Sequence, residues 1–128
     1  MNIISTENAP KAVGTYSQGT EYNGVYYFSG QIGLDPSTMT MKEDFQSQLD
    51  QVLKNIDALL NAASLSRKDI LKSTIFLLDM ASFPLVNASY EKFFKTPYPA
   101  RSCVAVTALP KGALIEIEVI AARTKKID

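Results

Sequence analysis

The chain has 128 residues, 46% of them hydrophobic, which suits one domain with a core that needs no disulfide or metal staple. Thirteen Lys+Arg balance thirteen Asp+Glu, so the formal charge is zero; binding nucleic acid or an anionic membrane by bulk electrostatics is not expected. With one cysteine and no histidine, an internal disulfide, most zinc sites and every histidine-based catalytic pair are excluded.

Met1 to Lys11 includes Glu7 and no long apolar run, which reads against a signal peptide. No window approaches the ~20 apolar residues of a membrane span, and a cytoplasmic protein is expected. Residues 1–128 read as a single domain without repeats or linkers. The charge clusters Glu43-Asp44, Arg67-Lys68 and Arg123 with Lys125-Lys126 read as solvated surface or tail.

A strand ending at Tyr22 leads through the turn Asn23-Gly24 into a β-branched and aromatic strand, Val25 to Ile32. Asp35-Pro36-Ser37-Thr38 marks a turn. From Glu43 to Ala63, Phe45, Leu49, Val52, Leu53, Ile56, Leu59, Leu60 and Ala63 recur at spacings of three and four. They predict a helix with one apolar face, with Gln46, Gln48, Asp50, Lys54 and Asp57 mostly on the other. Ile70 to Asp79 predicts a buried strand, and Pro84 to Phe94 a shorter helix with proline in its first turn. Thr96-Pro97-Tyr98-Pro99 forces an extended segment. Arg101 to Leu109 and Ala113 to Ala122 predict two strands joined by the turn Pro110-Lys111-Gly112.

The resulting order, β-β-α-β-α-β-β, is an α+β pattern: a mixed sheet with two helices on one face. In the strand after Arg101, Val104 and Val106 point one way and Cys103 and Ala105 the other, so both faces are partly apolar. Two helices cover one face. The other is expected to meet copies of the same chain.

Arg101 opens an otherwise uncharged strand and shares a face with Cys103 and Ala105. A tight hairpin around Lys111 would set Glu118 opposite Cys103 and Glu116 opposite Ala105, lining one side with a guanidinium, a thiol and two carboxylates. A register slip of one would undo this. Arg101 then either binds a carboxylate ligand through its planar fork or pairs with a glutamate of its own chain. Cys103 has no neighbouring histidine or lysine to activate it and reads as a small buried residue. Tyr16, in the loop-like run Gly14 to Gly19, either caps a pocket or lies on the surface. Ser29-Gly30 inside a strand marks close backbone approach by a ligand or a neighbouring chain. No G-x-G-x-x-G or Walker pattern occurs.

Several stretches together resemble the RidA/YjgF family of small enamine/imine deaminases. They are Asn8-Ala9-Pro10, Tyr16-Ser17-Gln18-Gly19, Phe28-Ser29-Gly30-Gln31-Ile32, Val86-Asn87-Ala88-Ser89-Tyr90-Glu91 with Phe93-Phe94, Pro99-Ala100-Arg101-Ser102-Cys103-Val104, and Leu109-Pro110-Lys111 leading to Ile115-Glu116-Ile117-Glu118-Val119-Ile120-Ala121. The resemblance spans about Ile4 to Arg123. It implies a chorismate-mutase-like fold whose sheets pack three at a time into a barrel, a homotrimer with sites between subunits. It implies hydrolysis of 2-iminobutanoate and 2-iminopropanoate, released by pyridoxal-phosphate dehydratases, to 2-oxo acids and ammonia, with no cofactor and no metal.

By the same resemblance Arg101 anchors the substrate carboxylate and Glu116 holds the hydrolytic water, with Glu118 as its structural neighbour. Tyr16 stands at the cleft mouth, Ser29, Gly30 and the backbone of Cys103 line the pocket, and Asn87 lies near it. Thr15 departs from the proline of many relatives, which loosens the approach to Tyr16. A non-catalytic 2-oxo acid-binding regulatory protein of the same fold is the alternative. RNA cleavage, attached to some relatives, fits poorly with zero net charge and no histidine.

Overall fold

Eight regular elements carry the chain in the computed structural model, which describes residues 1–123; Lys125 and Lys126 lie outside them. They are β1 (Asn2–Ile4), β2 (Gly19–Tyr22), β3 (Val25–Phe28), α1 (Phe45–Ala62), β4 (Ile70–Leu77), α2 (Phe83–Phe93), β5 (Ala100–Ala105) and β6 (Ile115–Ala122). The strands form one sheet in the order β1-β2-β3-β6-β4-β5. Every neighbouring pair is antiparallel except β4 and β5, which run parallel because α2 returns the chain between them. The mixed α+β architecture is the expected one, with β1 added; that three-residue strand was too short to signal itself.

Local chemistry explains most boundaries. Asn23 and Gly24 both adopt positive φ, 53° and 81°, and Tyr22 pairs with Val25 across this two-residue loop. Asp44 caps α1 by accepting from the Ser47 N–H at 3.0 Å. The helix lays Leu49, Val52, Ile56, Leu59 and Leu60 against Ile75, Ile115, Ile117 and Val119 of the sheet, all buried in one core. α2 packs on the same face, where its Tyr90 hydroxyl meets the buried Ser73 hydroxyl at 3.1 Å.

Gln48 departs from the expected outer face of α1. It is buried, donates to the Lys42 carbonyl at 2.9 Å and accepts from the Leu114 N–H at 2.8 Å, so it serves backbone groups no strand satisfies. The strand expected over Val25 to Ile32 stops at Phe28. Gln31 rejoins β6 through an isolated bridge to Ile117, leaving Ser29-Gly30 as an interruption.

The expected hairpin between the last two strands does not form. β4 lies between them, pairing with β5 on one side and β6 on the other. The alternately fully buried β4 and β6 take central places, whereas the mostly exposed β5 is left at the edge and ends at Ala105. Ile75 therefore stands between Cys103 and Ile117, and Phe76 between Val104 and Glu116. The face away from the helices carries Tyr27, Ile120, Phe76 and Val104, with Tyr27 50% and Val104 45% exposed. That is the partly apolar, uncovered face the strand patterning implied.

Candidate functional site

The register divides the expected site residues into two sets. Arg101, level with Ser73 and Val119, lies on the helix-covered side of β5. Glu116, level with Phe76 and Val104, lies on the open side of β6. A guanidinium, thiol and two carboxylates on one side of a hairpin is thus corrected. An Arg101–glutamate pair of that kind within the chain is also removed, since β4 and the thickness of the sheet stand between them.

The first set surrounds Glu116. Gly30 lies directly beneath its carboxylate: a Cβ added at Gly30 would come within 2.5 Å of Glu116 Oε2 and 2.8 Å of Cδ. The missing side chain is what lets the carboxylate settle there. Ser29 is fixed by donating to the Ser17 carbonyl at 2.6 Å, while its N–H donates to the Gln18 carbonyl at 2.9 Å. Tyr16 is 51% exposed at the mouth, its hydroxyl accepting from the Val13 N–H at 3.4 Å. These residues line a hollow of about 530 Å³ that Glu118 and Lys111 also border.

No described hydrogen bond or ion pair reaches the Glu116 carboxylate. Burial, and secondarily the nearby Glu118, push its pKa above the ordinary 4.5. Gly30→Ala is expected to swing this carboxylate outward, because a methyl cannot share its space. Its titration, followed by NMR, should fall back toward the ordinary value. An unchanged titration in a folded variant would show that Gly30 does not place Glu116.

The second set surrounds Arg101, which is exposed and has no carboxylate partner among the described residues. Its guanidinium donates to Asn87 Oδ1 at 2.9 Å and lies 5.0 Å from the Phe83 ring centre and 5.7 Å from that of Tyr90. Asn87 and the two rings restrict the fork while leaving its remaining N–H groups open to a cleft of about 460 Å³. Burial pushes Tyr90 up to about 12, so it remains a neutral phenol. Burial raises the Cys103 thiol too, outweighing the lowering effect of Arg101; it stays protonated and is not an activated nucleophile.

Sequence reasoning passed over three contributors. Phe83 and Tyr90 read as core residues of a helix face, and only the placement of α2 brings them beneath Arg101. Gln18 read as part of a loop. It is buried and ties down the N-terminal wall of the Glu116 hollow. Its amide donates to the Thr6, Ala9 and Pro10 carbonyls at 3.0, 3.2 and 2.8 Å, and its carbonyl accepts from the Thr6 N–H at 2.6 Å. Its place in the run Tyr16-Ser17-Gln18-Gly19 was the available signal. Among the described residues no cluster of three His, Cys, Asp or Glu could hold a metal ion.

One chain thus holds a cation fork facing an open cleft and, across the sheet, a carboxylate over a glycine floor. A family model described as Endoribonuclease L-PSP matches residues 6–123. A Salmonella typhimurium protein named 2-iminobutanoate/2-iminopropanoate deaminase is 48% identical over 123 residues, covering 94% of this chain and 96% of that relative. Among solved structures, RidA from an Antarctic Psychrobacter species superposes with a TM-score of 0.94 at 43% identity, covering 96% of this chain and all (100%) of that one. Escherichia coli TdcF with bound serine superposes with a TM-score of 0.92 at 42% identity, covering 97% and 100% of the two chains.

Proposed function

The chain belongs to the RidA/YjgF family, and on that premise we propose that it hydrolyses 2-imino acids such as 2-iminobutanoate and 2-iminopropanoate, in sites completed between copies of itself. The observation that carries the second half is the separation of Arg101 from Glu116 on opposite faces of one sheet. Each lacks the partner its charge calls for. A homotrimer that buries the open face, with Tyr27, Phe76, Val104 and Ile120 at the contact, would bring Arg101 of one copy to the Glu116 hollow of the next.

Chemically the assembled site needs little. Arg101 grips the substrate carboxylate with two N–H donors, which fixes the imine carbon at a set distance from a water. Ionised Glu116 accepts a hydrogen bond from that water. As the water oxygen bonds to the imine carbon, the C=N π pair passes to nitrogen and Glu116 takes the water proton. Glu116 passes that proton to nitrogen, then takes the second proton from the new hydroxyl and delivers it to nitrogen as well. The O–H pair closes the C=O bond, the C–N pair leaves with nitrogen as ammonia, and the 2-oxo acid remains. The protonated thiol of Cys103 has no step in this sequence, and no cofactor or metal enters it.

The assay is release of 2-oxobutanoate or pyruvate from a coupled dehydratase. Glu116→Gln should lose rate while still binding 2-oxobutanoate, since Arg101 is untouched. Wild-type protein that binds the oxo acid without speeding imine loss would instead favour the regulatory reading.

The pH profile adds a directional test. Glu116 works ionised, so the rate falls as the medium is acidified through its pKa. Glu118 is one of the two causes that raise that pKa. Glu118→Gln should therefore move the acid limb of kcat to lower pH, measured between about pH 4 and 7. A limb that stays put would remove Glu116 as the group that titrates in catalysis.

A further inference from the structure

A second hollow, of about 390 Å³, opens on the helix-covered side of the molecule. Its floor is apolar, made by Ile70, Phe93 and Phe94, with Pro97 and Pro99 as one wall. Lys68 borders it from the turn before β4, Lys92 from the last turn of α2, and Lys95 from the segment that follows. None of the three pairs with a carboxylate; the described ion pairs are Lys42–Asp35 and Arg67–Asp57.

Arg67 also lines this hollow, but its charge is already spent. It forks onto Asp57 at 2.9 and 2.7 Å, donates to the Phe93 carbonyl at 3.2 Å, and stacks 3.9 Å from the Phe93 ring centre. It acts as a fixed wall. Three exposed lysines without a described carboxylate partner thus border one apolar floor, in a chain of zero net charge. Lys92 and Lys95 also suit the carbonyl end of α2. Lys68 belongs to another element and has no such role, so dipole compensation does not account for the group.

We propose that this hollow binds a phosphate monoester with a flat aromatic body. Three mobile point charges match a compact dianion whose oxygens point several ways, as a planar fork would not. The floor of Phe93, with proline beside it, offers an apolar surface to a ring. The volume accommodates a small molecule of this kind. The site is separate from Arg101, although Phe94 and Pro99 border both cavities. It does not depend on the imine reading, because its measurement is binding and not turnover.

The probe is phenyl phosphate, titrated into the full chain by calorimetry, with NMR locating the contact. Binding should perturb Phe93, Phe94 and Thr96, weaken with added salt, and exceed that of inorganic phosphate or phenol. Lys68→Gln, Lys92→Gln and Lys95→Gln combined should weaken it at least tenfold, and Arg101→Ala should leave it unchanged. Should the triple variant lose cooperative unfolding, Lys68→Glu alone provides the test, with a loss of threefold or more. Equal affinity in these lysine variants would overturn the proposal. So would loss of binding in Arg101→Ala, which would place the probe in the other cleft. Tighter binding of a single-stranded RNA oligonucleotide than of phenyl phosphate at the same lysines would also overturn it, in favour of a nucleic-acid surface.

Discussion

Arg101→Ala should lower kcat/KM for imine hydrolysis by about 30-fold or more, the equivalent of 2–5 kcal/mol of lost interaction. The physical reason is the loss of a two-donor grip on a carboxylate that every proposed substrate carries. Arg101 is exposed, and its one described side-chain hydrogen bond is to exposed Asn87, so folding stability should change by no more than about 1 kcal/mol. Arg101→Lys should recover only part of the rate, because an ammonium keeps the charge and not the fork. A folded Arg101→Ala protein that works at wild-type speed would end the reading.

Two dead variants should revive one another. Arg101→Ala and Glu116→Gln proteins, each nearly inactive, are unfolded together, refolded as a mixture and assayed. If each site takes its arginine from one copy and its glutamate from the next, random assortment leaves about a quarter of the interfaces with both groups intact. Activity should rise to about that share of wild type. If both groups served the same site within one chain, mixing would restore nothing. The register argues for the first outcome, since a single sheet holds the two residues on opposite sides. Separate refolding followed by brief mixing is the control, and a slow gain there would report the rate at which copies exchange.

The helices, the core strands and the uncovered face were legible because each rests on a periodicity that burial imposes: Leu49 to Leu60 at helical spacing, and Ile115, Ile117 and Val119 alternating. Residues for a candidate site also drew notice. Arg101 and Glu116 stood out as charges in apolar strands, and the family resemblance gave them roles. What could not be read was strand order. Two consecutive strands joined by Pro110-Lys111-Gly112 look like a hairpin, and nothing local says that β4 will insert between them. That is decided by which strands can be buried on both flanks, a comparison of all six. Gln48 was misplaced for a related reason. An amide on a helix reads as polar surface until the loop carbonyl and strand N–H that it serves are known to lie over it. Tyr90 and Phe83 belonged to an apolar stripe, and their second service to Arg101 depends on where β5 lies.

β5 pairs with β4 on one flank, and among the described strands nothing occupies the other. A solitary copy therefore presents a row of free backbone donors and acceptors beside Val104, an invitation to endless strand addition. Joining a closed ring of three would end that growth by exhausting the sticky surfaces, whereas an open head-to-tail contact would propagate into fibres. If copies close into such a ring, a substitution that loosens it threatens solubility before it threatens chemistry, and precipitation of the loosened variant should worsen as its concentration rises, because strand addition is itself an association between copies.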